Sequence, residues 1–163
     1  MNQKEIILDQ LKAMGFELTE LEDIGYAFKY EDMNYLYMPD DEDEQFLRIV
    51  IPYLFEVTVE NRVAVLEAMH ETGLMLKYSK VCITYENAAW AIYEHRLNSV
   101  ENLPELLEHI IRVLEATAHV FYKKMNGEDV MGRLEEREDC SDEELEAELQ
   151  RILDSIEVDE EAN

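Results

Sequence analysis

Glycine, proline and cysteine are scarce in this chain of 163 residues, at five, three and two. No G-x-G-x-x-G, Walker A or G-x-S-x-G pattern occurs, so neither a phosphate cradle nor a nucleophile elbow is written in the sequence. Cys82 and Cys140 stand alone, without C-x-x-C spacing or a disulfide framework, which fits a reduced compartment. No apolar stretch approaches the roughly 20 residues that span a bilayer. Charges interrupt every apolar run of the opening MNQKEIILDQLKAMG before it reaches signal-peptide length. The expectation is a cytoplasmic protein without a membrane partner. Positive charge is thin as well: 14 Lys and Arg stand against 39 Asp and Glu, for a formal charge of -25 at pH 7. That field opposes a phosphate backbone and sets nucleic acid aside as a partner.

What is present suffices for one domain with a real core, since 47% of the residues are hydrophobic and the chain is too short for two comfortable domains. Asn2 followed three residues later by Glu5 predicts a capping box, and Ile7, Leu8, Leu11 and Met14 share one face of a helix that Gly15 stops. From Ile24 the period changes to two. Tyr26, Phe28 and Tyr30 alternate up to a turn at Glu31-Asp32, Met33, Tyr35 and Tyr37 alternate after it, and a third strand runs from Gln45 to Ile51. Thr58 predicts the cap of a second helix, with Val59, Val63, Leu66 and Met69 at helical spacing and Gly73 at its end. KVCITYENAAWAIYEH reads as a hairpin around Asn87-Ala88, which sets Tyr85 opposite Trp90 and Ile83 opposite Ile92. In a third helix Asn102 and Glu105 spell a capping box, Pro104 sits in the first turn, and Leu107, Ile111, Leu114, Ala118, Phe121 and Met125 run down one face before Gly127.

The expected fold class is therefore α+β: an antiparallel sheet of about five strands, a three-strand meander plus a hairpin, with helices packed on it in the order α-βββ-α-ββ-α. Residues 1–127 make this single domain. Residues 128–163 read as an acidic appendage, in which 16 acidic residues against three arginines supply 13 of the 25 excess negative charges. Ser141 and Glu144 spell another capping box there, and Leu145, Leu149, Ile152 and Ile156 form a narrow apolar stripe. The expectation is a short amphipathic helix over about 141–156 followed by a disordered end.

Facing parity follows if both turns of the meander hold an even number of residues. Tyr26, Phe28, Tyr35, Tyr37 and Phe46 then share one face with Arg48 and Val50, while Leu36, Leu47, Ile49 and Ile51 share the other. Both faces are apolar, unlike a sheet with one side in water. Helices 1 and 3 would cover one. The other needs helix 2, the C-terminal helix, a second subunit or a bound partner. Tyr26, Phe28, Tyr35, Tyr37 and Phe46, with Leu145, Leu149, Ile152 and Ile156, are the protein-binding candidates.

The run Asp40-Asp41-Glu42-Asp43-Glu44 is the strongest acidic cluster in the domain. It lacks the Gly at position 6 of a Ca²⁺ loop, and a hydrophobic strand occupies the region where the bidentate Glu must fall. It reads as a solvated loop that also discourages edge-to-edge aggregation. HETGL at His70 lacks the second His of a zinc-hydrolase helix. His95, His109 and His119 read as polar-face residues, and Cys140 sits among carboxylates that disfavour its thiolate. No catalytic, metal-binding or cofactor-binding residue is expected. The aromatic strands lack the interleaved basic residues of an RNA-binding sheet.

The segments NQKEIILDQLKAMGF, the aromatic meander from Tyr26 to Tyr53, NRVAVLEAMHETGLML and LPELLEHIIRVLEATAHVFY, taken in that order, resemble the type III secretion chaperone-like fold. Within it the likeness is to the YbjN-like group, named as candidate bacterial sensory transduction regulators. The resemblance spans roughly residues 2–126 and implies a non-enzymatic, often dimeric protein that holds an unfolded segment against apolar surface. The acidic C-terminal extension departs from that pattern. The expected function is a chaperone-like or regulatory protein-binding module, a homodimer whose partner is a basic or unfolded protein segment. The alternatives are an acidic mimic that sequesters a basic nucleic-acid-binding protein, and an enzyme whose site carries no recognisable motif.

Overall fold

In the computed structural model, residues 2–127 are described, together with residues 147, 150 and 151. The stripe Leu145, Leu149, Ile152 and Ile156 and Cys140 lie outside the described residues, and of the helix expected over 141–156 only Ala147, Gln150 and Arg151 are described, each of them helical.

Helix α1 (Gln3–Ala13) begins at the reciprocal cap written in its sequence. Asn2 Oδ1 accepts from the Glu5 amide at 2.9 Å while Glu5 Oε2 accepts from the Asn2 amide at 3.2 Å, so two donors that no helical carbonyl can reach are satisfied. Strand β1 (Thr19–Leu21) follows, then β2 (Gly25–Tyr30) and β3 (Met33–Tyr37). Glu31 and Asp32 between the last two both take positive φ, 49° and 62°, the left-handed pair of a two-residue I′ hairpin turn whose twist matches the flanking strands. The register that results sets Phe28 opposite Tyr35 and Tyr26 opposite Tyr37, and their rings stack.

Strand β1 has no counterpart in the sequence reading. Its three residues are exposed, so no apolar alternation marks them, and it is held only by pairing Thr19 with Ala27 through Leu21 with Gly25. The corner requires glycine: a Cβ on the buried Gly25 would overlap the Tyr37 carbonyl oxygen, with the carbonyl carbon only 3.1 Å away.

The long strand β4 (Phe46–Glu56) pairs Tyr37 with Ile49 and Leu36 with Val50. Residues 38–48 between the Tyr37–Ile49 partners are odd in number, which corrects the even loop of the sequence reading. Leu47, Ile49 and Ile51 join the aromatic face, and Phe46, Arg48 and Val50 move to the other, because side chains alternate with a period of two. The strand also runs past Pro52, where the register shifts between Ile51 and Phe55. Proline has no amide to give the ladder, and Tyr53 beside it takes a φ of 54°, so the extra backbone is absorbed as a bulge.

Helix α2 (Arg62–Met75) comes next. Thr58 and Asn61 exchange backbone-to-side-chain hydrogen bonds ahead of it, and Gly73 lies inside it without ending it. The hairpin of β5 (Ser79–Ile83) and β6 (Ala88–Arg96) turns through Thr84–Asn87, with Asn87 in the left-handed region at φ 57°. Its pairings are Cys82 with Trp90 and Ile83 with Ala89, which correct the expected Tyr85–Trp90 and Ile83–Ile92. The slip from the expected register is odd and again exchanges the faces. Helix α3 (Leu103–Met125) closes the fold without the capping box read at Asn102, whose side chain makes no cap bond.

The six strands form one antiparallel sheet in the order β1-β2-β3-β4-β6-β5. Ile7 and Leu11 of α1, Val65 and Ala68 of α2, and the α3 stripe from Leu103 to Phe121 form one buried cluster with Tyr35, Ile49, Ala91, Tyr93 and their row-mates on the sheet. All three helices therefore cover the same face. Polar links stitch the layers: the Tyr35 hydroxyl donates to the Ile111 carbonyl at 3.2 Å, and Ser79 Oγ lies 2.6 Å from Thr117 Oγ1.

Candidate functional site

The face of the sheet turned away from the helices is the candidate. Leu36, Val50, Ile92 and Lys80 stand directly opposite one another across β3, β4, β6 and β5 in a single row. On one side of that row Arg48 faces Glu94, and on the other Trp90 faces Cys82. Leu36 and Val50 are buried, yet they fall outside the cluster that the helices share. Phe46, Arg48, Cys82, Trp90, Ile92 and Glu94 are half-buried around them. This outer face is a mixed patch, apolar at its centre with a charged flank.

The charged flank is short of acceptors. Glu94 serves two cations, with its Oε1 2.6 Å from Lys80 Nζ and its Oε2 3.8 Å from Arg48 Nη2. The Arg48 guanidinium also lies over the Phe46 ring, 4.7 Å from its centroid, an arrangement that adds cation–π attraction. Two N–H groups, Arg48 Nε and Trp90 Nε1, are closed off from water without a hydrogen-bond acceptor among the described residues. At the rim Tyr53 leans edge-on against Trp90, and its hydroxyl donates to Glu86, whose carboxylate raises the tyrosine pKa.

The aromatic candidates from the sequence separate. Phe28, Tyr35 and Tyr37 are closed into the core beneath α1 and α3, and burial raises the pKa of both tyrosines. Tyr26 shares their face and carries Lys4 over its ring at 5.5 Å. Phe46 alone of the five lies on the outer face. Trp90, Ile92, Arg48 and Lys80 were passed over by sequence reasoning. Their signal was the alternation of Trp90, Ile92 and Glu94 against Ala89, Ala91 and Tyr93 along β6, which only the observed register makes legible.

A second exposed apolar feature lies on α2 and its approach. Val59, Val63 and Leu66, which the sequence places at helical spacing, and Leu74, which it leaves unassigned, are 93%, 67%, 44% and 64% exposed. The face that α2 buries is instead Val65, Ala68 and Thr72. A helix apolar on both sides gives periodicity no means of choosing the inner one.

The acidic run serves its own loop. Asp40 Oδ1 accepts from the amides of Glu42 and Asp43, and Asp43 Oδ1 accepts from the amide of Gln45, while all five carboxylates remain exposed. Among the histidines, His119 lies 3.8 Å from Glu115 on an exposed face of α3, and His109 packs edge-on against Tyr78 and Tyr93. Cys82 shares the outer face with Trp90 and has no histidine opposite it. No helix among the described residues is long and apolar enough to cross a membrane.

These features define an α+β protein with three helices on one side of a six-stranded antiparallel sheet and an apolar, cation-bearing face on the other. No family model matches the chain, and no curated protein matches it in sequence. Solved structures share the fold, two of them as follows. An uncharacterized protein from Methanothermobacter thermautotrophicus superposes with a TM-score of 0.53 at 15% identity, covering 76% of this chain and 97% of its own. YbjN from E. coli, described as a candidate transcription regulator, does so with a TM-score of 0.53 at 11% identity, covering 72% of this chain and 87% of its own. The fold is YbjN-like, and neither neighbour is described as an enzyme.

Proposed function

We propose that the chain is a non-enzymatic protein-binding module, chaperone-like or regulatory, which docks a protein segment on the outer face of its sheet. The observation that carries this reading is the one-sided packing of the helices, which leaves the row Leu36, Val50 and Ile92, with Trp90 and Phe46, outside the helix-covered core. Leu36 and Val50 at the centre of that row are closed to solvent, so the accessible part of the face is the half-buried Phe46, Trp90 and Ile92, and aromatic residues and arginine are the types enriched at interfaces. The described role of YbjN supports the regulatory form of the reading, and the secretion-chaperone resemblance supports the segment-holding form. The test is co-purification of the tagged full chain from its own organism, repeated with Trp90→Ala and Ile92→Ser together. Partner recovery is expected to fall by about tenfold or more while the thermal melt stays cooperative. Equal recovery by the variant overturns the reading.

The same module is proposed to be a homodimer, and the exposed stripe of α2 favours this. Val63 and Leu66 are exposed apolar neighbours three residues apart on α2, and a two-fold pairing would cover them with their own copy. Light scattering of the full chain is expected to give the mass of two chains, and Val63→Glu with Leu66→Glu the mass of one. A single-chain mass for the unaltered protein across the micromolar range sinks the dimer.

A further inference from the structure

We propose that the free edge of the sheet, strand β5, pairs antiparallel with β5 of a second copy about a two-fold axis at Val81, so that two sheets become one. This rests on the dimer proposed above and places its axis. Strand β5 ends the sheet, with β6 on one side only. The Thr84 amide donates to the Ala88 carbonyl at 2.9 Å, which makes Thr84–Ala88 a hydrogen-bonded pair, and such pairs alternate with unbonded ones along an antiparallel ladder. Cys82–Trp90 and Lys80–Ile92 are then the bonded pairs of the hairpin, and the backbone groups of Ser79, Val81 and Ile83 point away from β6. Among the described residues no backbone group bonds to them from the other side. An open row of this kind is a template for another strand.

A second copy fits that row residue for residue. A two-fold at Val81 sets Val81 opposite Val81 of the copy and Ser79 opposite Ile83, which brings the outward donors and acceptors of the strand onto one another. A two-fold at Lys80 or Cys82 would instead oppose groups already bonded to β6. Lys80 then faces Cys82 of the copy and not the second Lys80, and its ammonium stays on Glu94 of its own chain at 2.6 Å. Charge selects the same strand. A chain carrying -25 repels its own copy, but residues 72–85 are its longest run without Asp or Glu, with Lys77 and Lys80 inside it. The exposed Tyr78 and Tyr85 flank the strand and fall opposite Thr84 and Lys77 of the copy. Helix α2 packs on β5 and α3, while α3 reaches β4 and β6 as well, so α2 is the helix at this edge. The axis stands perpendicular to the sheet, and both copies therefore carry their helices on one face with the two α2 helices nearest the axis.

Cross-linking reads the register directly. The full-length protein with Cys140→Ser, which leaves Cys82 as its one cysteine, is compared with the same protein carrying Lys80→Cys as well, both oxidised with diamide and separated without reductant. Position 80 stands about 4.5 Å from Cys82 of the copy, Cα to Cα, as an unbonded antiparallel pair, which is within disulfide reach. The two Cys82 residues lie on the diagonal instead, at about 7–8 Å. A covalent dimer is expected from the Lys80→Cys protein alone, with peptide masses that join 80 to 82 between chains. Ile83→Pro removes an amide that points outward and serves no ladder in its own chain. Symmetry deletes two bonds at once, so association measured by light scattering is expected to weaken by about tenfold while the thermal melt stays cooperative. A two-chain mass without the interchain 80–82 bridge overturns the β5 axis and leaves the dimer standing, as does undiminished association of the Ile83→Pro protein. A bridge from position 80 to its own equivalent, or from 82 to its own, shifts the register and overturns the axis at Val81. A one-chain mass for the unaltered protein overturns both the axis and the dimer.

Discussion

Leu114→Ala is expected to lower the unfolding free energy by about 3–4 kcal/mol, the range for removing a fully enclosed leucine whose surroundings collapse only partly. Leu114 is 0% exposed midway along α3, in the cluster where that helix meets the sheet. The cost is expected as a lower denaturant midpoint with an unchanged slope. Leu74→Ala provides the contrast. Its side chain is the same, but on α2 it is 64% exposed, and its loss is expected to shift stability by less than about 0.5 kcal/mol. Similar losses at the two positions would contradict a core confined to one side of the sheet.

Alkaline pH is expected to unfold the protein through its buried tyrosines. Burial, followed by the neighbouring Tyr26, pushes the Tyr37 hydroxyl up to about 12 from its ordinary value of 10.0. Burial, with Glu115 as the next cause, raises Tyr35 as well. A folded pKa above the unfolded one means that the native state holds its proton where the unfolded chain has released it. This stability is complete below about pH 10 and is lost progressively as the pH rises through about 12. Tyr37 alone accounts for a loss on the order of 2–3 kcal/mol across that window, and Tyr35 adds to it. Denaturant midpoints measured from pH 8 to about pH 12 are expected to fall above pH 10, and Tyr37→Phe is expected to make the fall shallower. A midpoint that stays level over this range would show that neither hydroxyl is held in the core.

The sequence alone locates only the first of these effects, although Leu114, Tyr35 and Tyr37 are all singled out there. Leu114 belongs to a stripe that α3 repeats for 23 residues with polar residues between, so its inward face was legible. Tyr35 and Tyr37 were legible as strand residues sharing a face, because the turn at Glu31-Asp32 is short and fixes its own register. Their burial was not, since it depends on α1 and α3 arriving on that side. Helix α2 misled for a related reason: Val59, Val63 and Leu66 have helical spacing as regular as that of a core stripe, but Val65 and Ala68 meet the core. The polar strand β1 left no pattern at all.

The sequence by itself determined every element of the domain but β1, the two-residue turn at 31–32, the cap at Asn2, the acidic charge and the absence of a motif for chemistry. These depend on neighbours within a few residues, where side-chain period and backbone hydrogen bonding act directly. Only the tertiary structure decided which face each strand presents. An odd loop at 38–48 and an odd slip in the β5–β6 hairpin each exchange the two sides of a strand, and loop composition does not count residues for the reader. The same two parities brought Arg48, Val50, Trp90, Ile92 and Lys80 onto one surface. That surface is long-range by construction, assembled from strands paired across the sheet, and no local pattern encodes it.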